Sequence, residues 1–155
     1  MNKIYGDIIQ AAESGKYDVV LHNCNCFCTM GSGVALCIAN AWPEVAAADC
    51  ATQKGDISKL GTYSRARVVR GDIGFNVYNI YGQYKYGYRS LQLFDIDAFA
   101  YAIDTLATEL QLWKRPVNIL FPPLGAGSAG GRWRHISNVL TTQLSNHNLT
   151  LIKLK

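Results

Sequence analysis

Asp18-Val19-Val20-Leu21-His22 leads into Asn25-Cys26-Phe27-Cys28-Thr29-Met30-Gly31-Ser32-Gly33-Val34-Ala35, and this stretch decides the architecture. Consecutive aliphatic residues with no polar alternate are the pattern of a strand buried on both faces. The glycines mark a loop, and Gly33 to Trp42 has helical spacing, so the order is strand, glycine loop, helix. The same order recurs downstream. Val117 to Phe121 reads as a second buried strand, Pro122 to Gly131 as a second glycine loop, and Trp133 to Leu144 as a helix.

Between and around these units the pattern continues to alternate. Lys3-Ile4-Tyr5 opens as a short strand, and a helical turn follows through Ala11-Ala12-Glu13. Pro43 starts a short helix through Val45 to Cys50. Leu60 to Tyr63, Arg67 to Val69 and Phe75 to Tyr81 read as strands or a hairpin. Ile96 to Trp113 is helical, with Phe99, Ile103, Leu106 and Leu110 on one face and Asp95 as a plausible N-cap. Leu149 to Leu154 closes as a strand. Such alternation implies a mixed, largely parallel sheet with helices on both faces, and in these sheets ligands gather at the carboxyl ends of the strands.

With 155 residues the chain is read as one domain, residues 1–155, large enough to bury a core without staples. Hydrophobic residues make up 49% and charged residues 17%, which excludes a disordered chain. No apolar run approaches the roughly 20 residues of a membrane span, and no signal-peptide core precedes Asp7. The net charge of +4 lies in the second half and is too scattered to announce a nucleic-acid surface. Five cysteines, an odd number, point to free thiols and a cytoplasmic setting. Cys24-x-Cys26-x-Cys28 lacks zinc spacing; His22 nearby leaves a metal conceivable, but buried small thiols fit better and no metal or cofactor is invoked.

Glycine removes the Cβ that would keep a ligand from the backbone, and free N–H groups at a helix N-terminus cradle phosphate oxygens. Neither loop is a P-loop or a dinucleotide fingerprint, but two in equivalent positions could clamp a diphosphate. Gly6-Asp7-Ile8, Leu21-His22-Asn23-Cys24-Asn25, Gly31-Ser32-Gly33-Val34-Ala35 and Pro123-Leu124-Gly125-Ala126-Gly127 together resemble the motifs of macrodomains, the ADP-ribose-binding α/β modules. His-x-Cys-Asn-Cys at His22, the strand end Tyr81-Gly82-Gln83 and the run through Gly131-Arg132-Trp133 resemble the branch that hydrolyses ADP-ribose 1''-phosphate.

The resemblance implies a three-layer αβα sandwich around a mixed, mostly parallel six-stranded sheet. It implies that Asp7 and the Ile8 N–H hold adenine and that Asn25 bonds the distal ribose. Gly31, Ser32, Gly33, Val34 and Ala35 would lie against ribose and diphosphate. Leu124, Gly125, Ala126, Gly127, Ser128, Ala129 and Gly130 would donate N–H groups from the other side, and Tyr81, or less readily Phe121, would stack on the ligand. Structural alternatives stand beside these roles: Asp7 and Ser32 as N-caps, Asn25 as a brace of its own loop.

For chemistry, the resemblance makes His22 the proton-transfer group, against the alternative of a hydrogen-bonded core histidine. Asp95 could orient it or a water, or only cap its helix. His135 and His147 read as surface residues. Related hydrolases often place an Asp near the tryptophan where this chain has Arg132, which could pair with a phosphate or face solvent. Tyr81, Tyr84, Tyr86 and Tyr88 with Lys85 and Arg89 could stack on bases, close over a pocket, or pack as a loop. The expected partners are small ADP-ribose derivatives, with ADP-ribosylated protein or nucleic acid also possible, and no membrane; a monomer is expected.

Overall fold

The computed structural model describes residues 1–87, 93–127 and 129–155. Six strands form one sheet: β1 (Asn2–Tyr5), β2 (Val19–Asn23), β3 (Tyr63–Arg70), β4 (Ile73–Ile80), β5 (Asn118–Phe121) and β6 (Asn148–Lys153). Their order is β1-β6-β5-β2-β4-β3, with every pair parallel except the β3–β4 hairpin. The helices are α1 (Ile8–Ala12), α2 (Gly33–Ala41), α3 (Pro43–Cys50), α4 (Ile96–Leu110) and α5 (Trp133–Gln143). The expected mixed, mostly parallel six-stranded sheet between helical layers is what forms.

Side-chain alternation along the strands makes two cores, one per face. Val19, Leu21, Ile119 and Phe121 face α4 and α5, where they meet Phe99, Ile103, Leu106, Leu110, Ile136 and Leu140. Val20, Val77, Leu120 and Ile152 face the other way, against Ile8, Ala12, Ile38, Trp42 and Val45 of the α1–α3 layer. Burying each large aliphatic or aromatic side chain contributes roughly 1.5–3 kcal/mol, so the apolar stripe of α4 alone fixes that helix to the sheet. Asp95 caps α4, its carboxylate accepting from the Ala98 N–H at 3.0 Å.

Several boundaries shift by one to three residues from the sequence reading, and two of the shifts have a plain cause. Leu60 to Thr62 is a turn after a 3-10 segment (Ile57–Lys59), because Gly61 takes φ +85 and breaks the extended run before Tyr63. The long helix ends at Leu110 and tightens into a 3-10 turn over Gln111–Trp113. Among the described residues no helix is long and apolar enough to cross a membrane.

Candidate functional site

Strands β2 and β5 are neighbours in the sheet and run parallel, with Val19 opposite Ile119. After β2 the chain turns toward β3 and β4; after β5 it turns toward β6. The two glycine loops therefore leave adjacent strand ends, about 4.8 Å apart, at a point where the winding reverses. Asp7 and Ile8 follow β1, whose carboxyl end lies on the same side of the sheet.

In the first loop, Asn25 acts as the brace. Its Oδ1 accepts from the Phe27 N–H at 2.8 Å, and its Nδ2 donates to the Thr29 hydroxyl and carbonyl at 2.8 and 3.1 Å. Both amide protons are thus consumed, and only Oδ1 remains able to receive a ribose hydroxyl. Gly31 and Gly33 border open space, and Gly33 enters α2 with φ +58, a conformation that strains any other residue. Ser32 occupies the N-cap position, but its hydroxyl bonds no N–H of the first turn, which leaves the groups at Gly33, Val34 and Ala35 uncapped. The alternative reading of Ser32 as a hydroxyl cap is met in position only.

The second loop closes on itself through Ala126 N–H to Pro123 O (3.2 Å), Gly130 N–H to Gly127 O (3.1 Å) and Gly131 N–H to Gly125 O (2.7 Å). Among the described residues, the N–H groups of Gly125, Gly127 and Ala129 have no backbone acceptor. Gly127 borders open space, whereas the space beside Gly125 and Gly131 is filled by the Phe94 ring. Leu124 and Ala129 are buried under the loop, so only their backbones can serve a ligand. Arg132 takes the N-cap position of α5 with no cap to offer, and its side chain is exposed. By contrast α1, α4 and the 3-10 segment at Ile57 are capped by Asp7, Asp95 and Asp56. Ser128, Tyr88 and Arg89 lie outside the described residues.

Asp7 caps α1 through one oxygen, Oδ1 accepting from Ile9 and Gln10 N–H at 2.7 and 3.0 Å. Its other oxygen and the Ile8 N–H have no hydrogen-bond partner among the described residues. Both the cap and a base contact can therefore coexist.

Tyr81 and Phe121 are corrected as stacking partners, since both rings are buried. Phe121 belongs to the α4–α5 core, while the Tyr81 hydroxyl donates to Asp49 Oδ1 at 2.8 Å and meets Ser64 Oγ at 2.8 Å. Lys59, also buried, sets its ammonium 4.7 Å over the Tyr81 ring and donates to the Cys26 carbonyl at 3.0 Å.

His22 is likewise a core histidine. It points to the α3 face, where Nε2 bonds the Asn79 side-chain oxygen, and Asn79 Nδ2 donates to Ser64 Oγ (3.0 Å) and Val45 O (3.2 Å). Burial pulls its pKa down from 6.5 to about 4, the bond to Asn79 opposing only in part. At neutral pH it is an uncharged imidazole sealed from solvent, and its assignment as the proton-transfer group is corrected for this conformation. Asp95 caps α4 through Oδ1, and its Oδ2 has no hydrogen-bond partner among the described residues. Burial also raises the thiols of Cys24 and Cys26, the latter to about 11, which makes them inert packing groups. Among the described residues no cluster of three or more His, Cys, Asp or Glu could hold a metal ion. His147, read as a surface turn residue, is half-buried and accepts from the Val117 N–H at 3.1 Å.

Sequence reasoning missed Phe94, Asn79 and Lys59. Phe94 carried a signal: it precedes the N-cap Asp95 and packs on Phe99, four positions into α4, the hydrophobic-staple pattern.

This architecture is the macrodomain fold. A macrodomain of Mycobacterium tuberculosis DarG superposes with a TM-score of 0.74 at 18% identity, covering 97% of this chain and 96% of that one. Thermosipho africanus DarTG, solved in complex with ADP-ribose, gives 0.74 at 11% identity over all of this chain and 42% of that chain. An Oceanobacillus iheyensis macrodomain with MES bound gives 0.64 at 16% identity, covering 98% and 82%. No family model matches the sequence. The chain belongs to the family of an uncharacterized 17.5 kDa protein from the tk-vs intergenic region of Enterobacteria phage T4, 33% identical over 156 residues, 96% of this chain and 93% of the relative.

Proposed function

We propose that the protein binds ADP-ribose, with the diphosphate between the two glycine loops. Adenine then lies toward Asp7 and Ile8, and the distal ribose toward Asn25 and the Gly31–Ala35 turn. The observation that carries this reading is that α2 and α5, the helices following the two loops, begin without a capping side chain. Each helix start carries roughly half a positive charge, and an anion there contributes about 0.3–1 kcal/mol per helix. The open sides of Gly31, Gly33 and Gly127 supply room for the backbone approach such an anion needs.

Calorimetry with ADP-ribose tests this, using Gly127→Ala as the control. No atom lies within 4 Å of the added methyl, so stability should change by no more than about 0.5 kcal/mol while affinity falls about tenfold or more. Wild-type protein that takes up no ADP-ribose, or a variant that binds it equally well, sinks the reading.

Hydrolysis of ADP-ribose 1''-phosphate is the second reading, and one observation favours it. The exposed Arg132 guanidinium at the start of α5 suits a terminal phosphate, which it can hold through two parallel hydrogen bonds. Turnover further requires a proton donor, and His22 would have to leave its bond to Asn79 to serve. Phosphate release from that substrate, lost in His22→Ala with ADP-ribose affinity retained, is the result this reading demands. Removal of ADP-ribose from modified protein or nucleic acid has no carboxylate beside Trp133 to support it, because Arg132 stands there.

A further inference from the structure

The second glycine loop has two unlike sides. Its outer side, at Gly127, is open. Its inner side is occupied by one ring: a Cβ on Gly125 would collide with Phe94, and a Cβ on Gly131 would sit 2.8 Å from Phe94 Cδ1 and 2.7 Å from the Gly125 carbonyl oxygen. At the end of β4, a Cβ on Gly82 would come within 3.0 Å of Phe94 Cε2 and collide with Asn23 Oδ1. Three glycines from two strand ends surround the same side chain.

The backbone of that segment is pinned on both flanks. Leu93 and Phe94 both donate N–H to the Ala129 carbonyl at 2.9 Å. Phe94 forms an isolated antiparallel bridge with Gln83, and the Asp95 N–H donates to the Gly82 carbonyl at 2.8 Å. Below, Phe94 packs on Phe99 with ring centroids 5.3 Å apart. The segment 93–95 is thus a strap joining the end of β4, the start of α4 and the second loop.

A glycine-rich loop left to itself samples a wide range of φ and ψ, and a ligand must meet the cost of ordering it. We infer that Phe94 is the positioning residue of the second loop. Its ring fills the side that Gly125 and Gly131 leave bare, and so holds the N–H groups of Gly125, Gly127 and Ala129 in the arrangement that receives an anion. That the anion is the ADP-ribose diphosphate rests on the proposal above; the ring's hold on the loop does not.

The test uses the full chain with Phe94→Ala, Phe94→Leu, Gly125→Ala and the double variant Phe94→Ala/Gly125→Ala. Amide hydrogen exchange of the ligand-free proteins is read alongside NMR titrations with ADP-ribose and with adenosine, which lacks the diphosphate. Phe94→Ala should speed exchange at residues 125–131 about tenfold and leave the β3–β4 hairpin within about twofold. It should weaken ADP-ribose about tenfold and adenosine less than about threefold, with Phe94→Leu restoring part of the loss. Gly125→Ala should cost affinity in both backgrounds, because Gly125 takes φ +65, but less in Phe94→Ala, where the ring it strikes is gone. Unchanged loop exchange, equal losses for the two ligands, or additive effects in the double variant would each overturn the inference. If Phe94→Ala fails to fold, Phe94→Leu carries the same comparison. Wild-type protein that ignores ADP-ribose defeats the binding proposal alone, and loop exchange still decides the role of Phe94.

Discussion

At His22 the polar interior has a measurable consequence. The folded protein holds this imidazole neutral down to about pH 4, whereas the unfolded chain protonates it near 6.5. Between those values the unfolded state binds more protons, so His22 stabilises the fold fully above pH 6.5 and its contribution is lost as pH falls toward 4. At 1.36 kcal/mol per unit the loss is roughly 3 kcal/mol. Asp49, raised by burial, works in the opposite sense below neutrality, so the wild-type curve alone is not diagnostic. The expected result is a difference: urea midpoints of wild type and His22→Gln should diverge steadily from pH 6.5 to 4, the wild type losing more. Parallel curves would show that His22 titrates in the folded state as it does in the unfolded. The position of His22 at a strand end was legible in the sequence. Its partner was not, because Asn79 lies 57 residues away and only the parallel pairing of β2 with β4 brings the two together.

At the scale of elements, helix starts differ in how they are capped. Asp7, Asp56 and Asp95 satisfy first-turn N–H groups of the segments they cap, α3 begins with Pro43 and no side-chain cap, and α2 and α5, which follow the glycine loops, also begin without one. An N-cap oxygen is worth about 1 kcal/mol, so an uncapped start forgoes roughly that much stability, and on the proposed binding mode the free N–H groups of α2 and α5 serve the diphosphate instead. Arg132→Asp should return that amount in denaturant unfolding of the free protein. The same carboxylate then occupies the N–H groups and repels the diphosphate, so calorimetric affinity for ADP-ribose should fall about tenfold. A variant that gains stability and binds undiminished would show that α5 takes no part in the site. Elements of this kind are readable because their signals are local: three aliphatics for β2, a one-sided stripe for α4, Asp95 before it. Loop glycines are less so. Gly125 and Gly127 are two residues apart and look alike, yet one makes room for Phe94 and the other faces outward, a distinction set by packing from a segment some 30 residues earlier.

For the whole molecule, sequence predicted the parallel αβα class but not that β6 would insert between β1 and β5, since nothing local specifies strand order. That order has a functional consequence. It leaves β2 and β5 adjacent with their chains diverging, so a ligand across the two loops ties together segments about 100 residues apart in sequence and otherwise joined through few backbone bonds of the sheet. Such a ligand binds the folded chain and not the unfolded one. At a hundred times its dissociation constant it adds about 2.7 kcal/mol, which for a domain of this size is a rise of roughly 5–11 °C in Tm. The increment should have a location as well as a size. With ADP-ribose bound, amide exchange should slow together at Gly33–Ala35 and at Gly125–Ala129, while the β3–β4 turn at Gly71 keeps its free rate, since it lies at the opposite end of the sheet. Protection confined to one loop would mean that the nucleotide sugar uses a single helix start, and the paired-loop geometry would then have no bearing on what the protein binds.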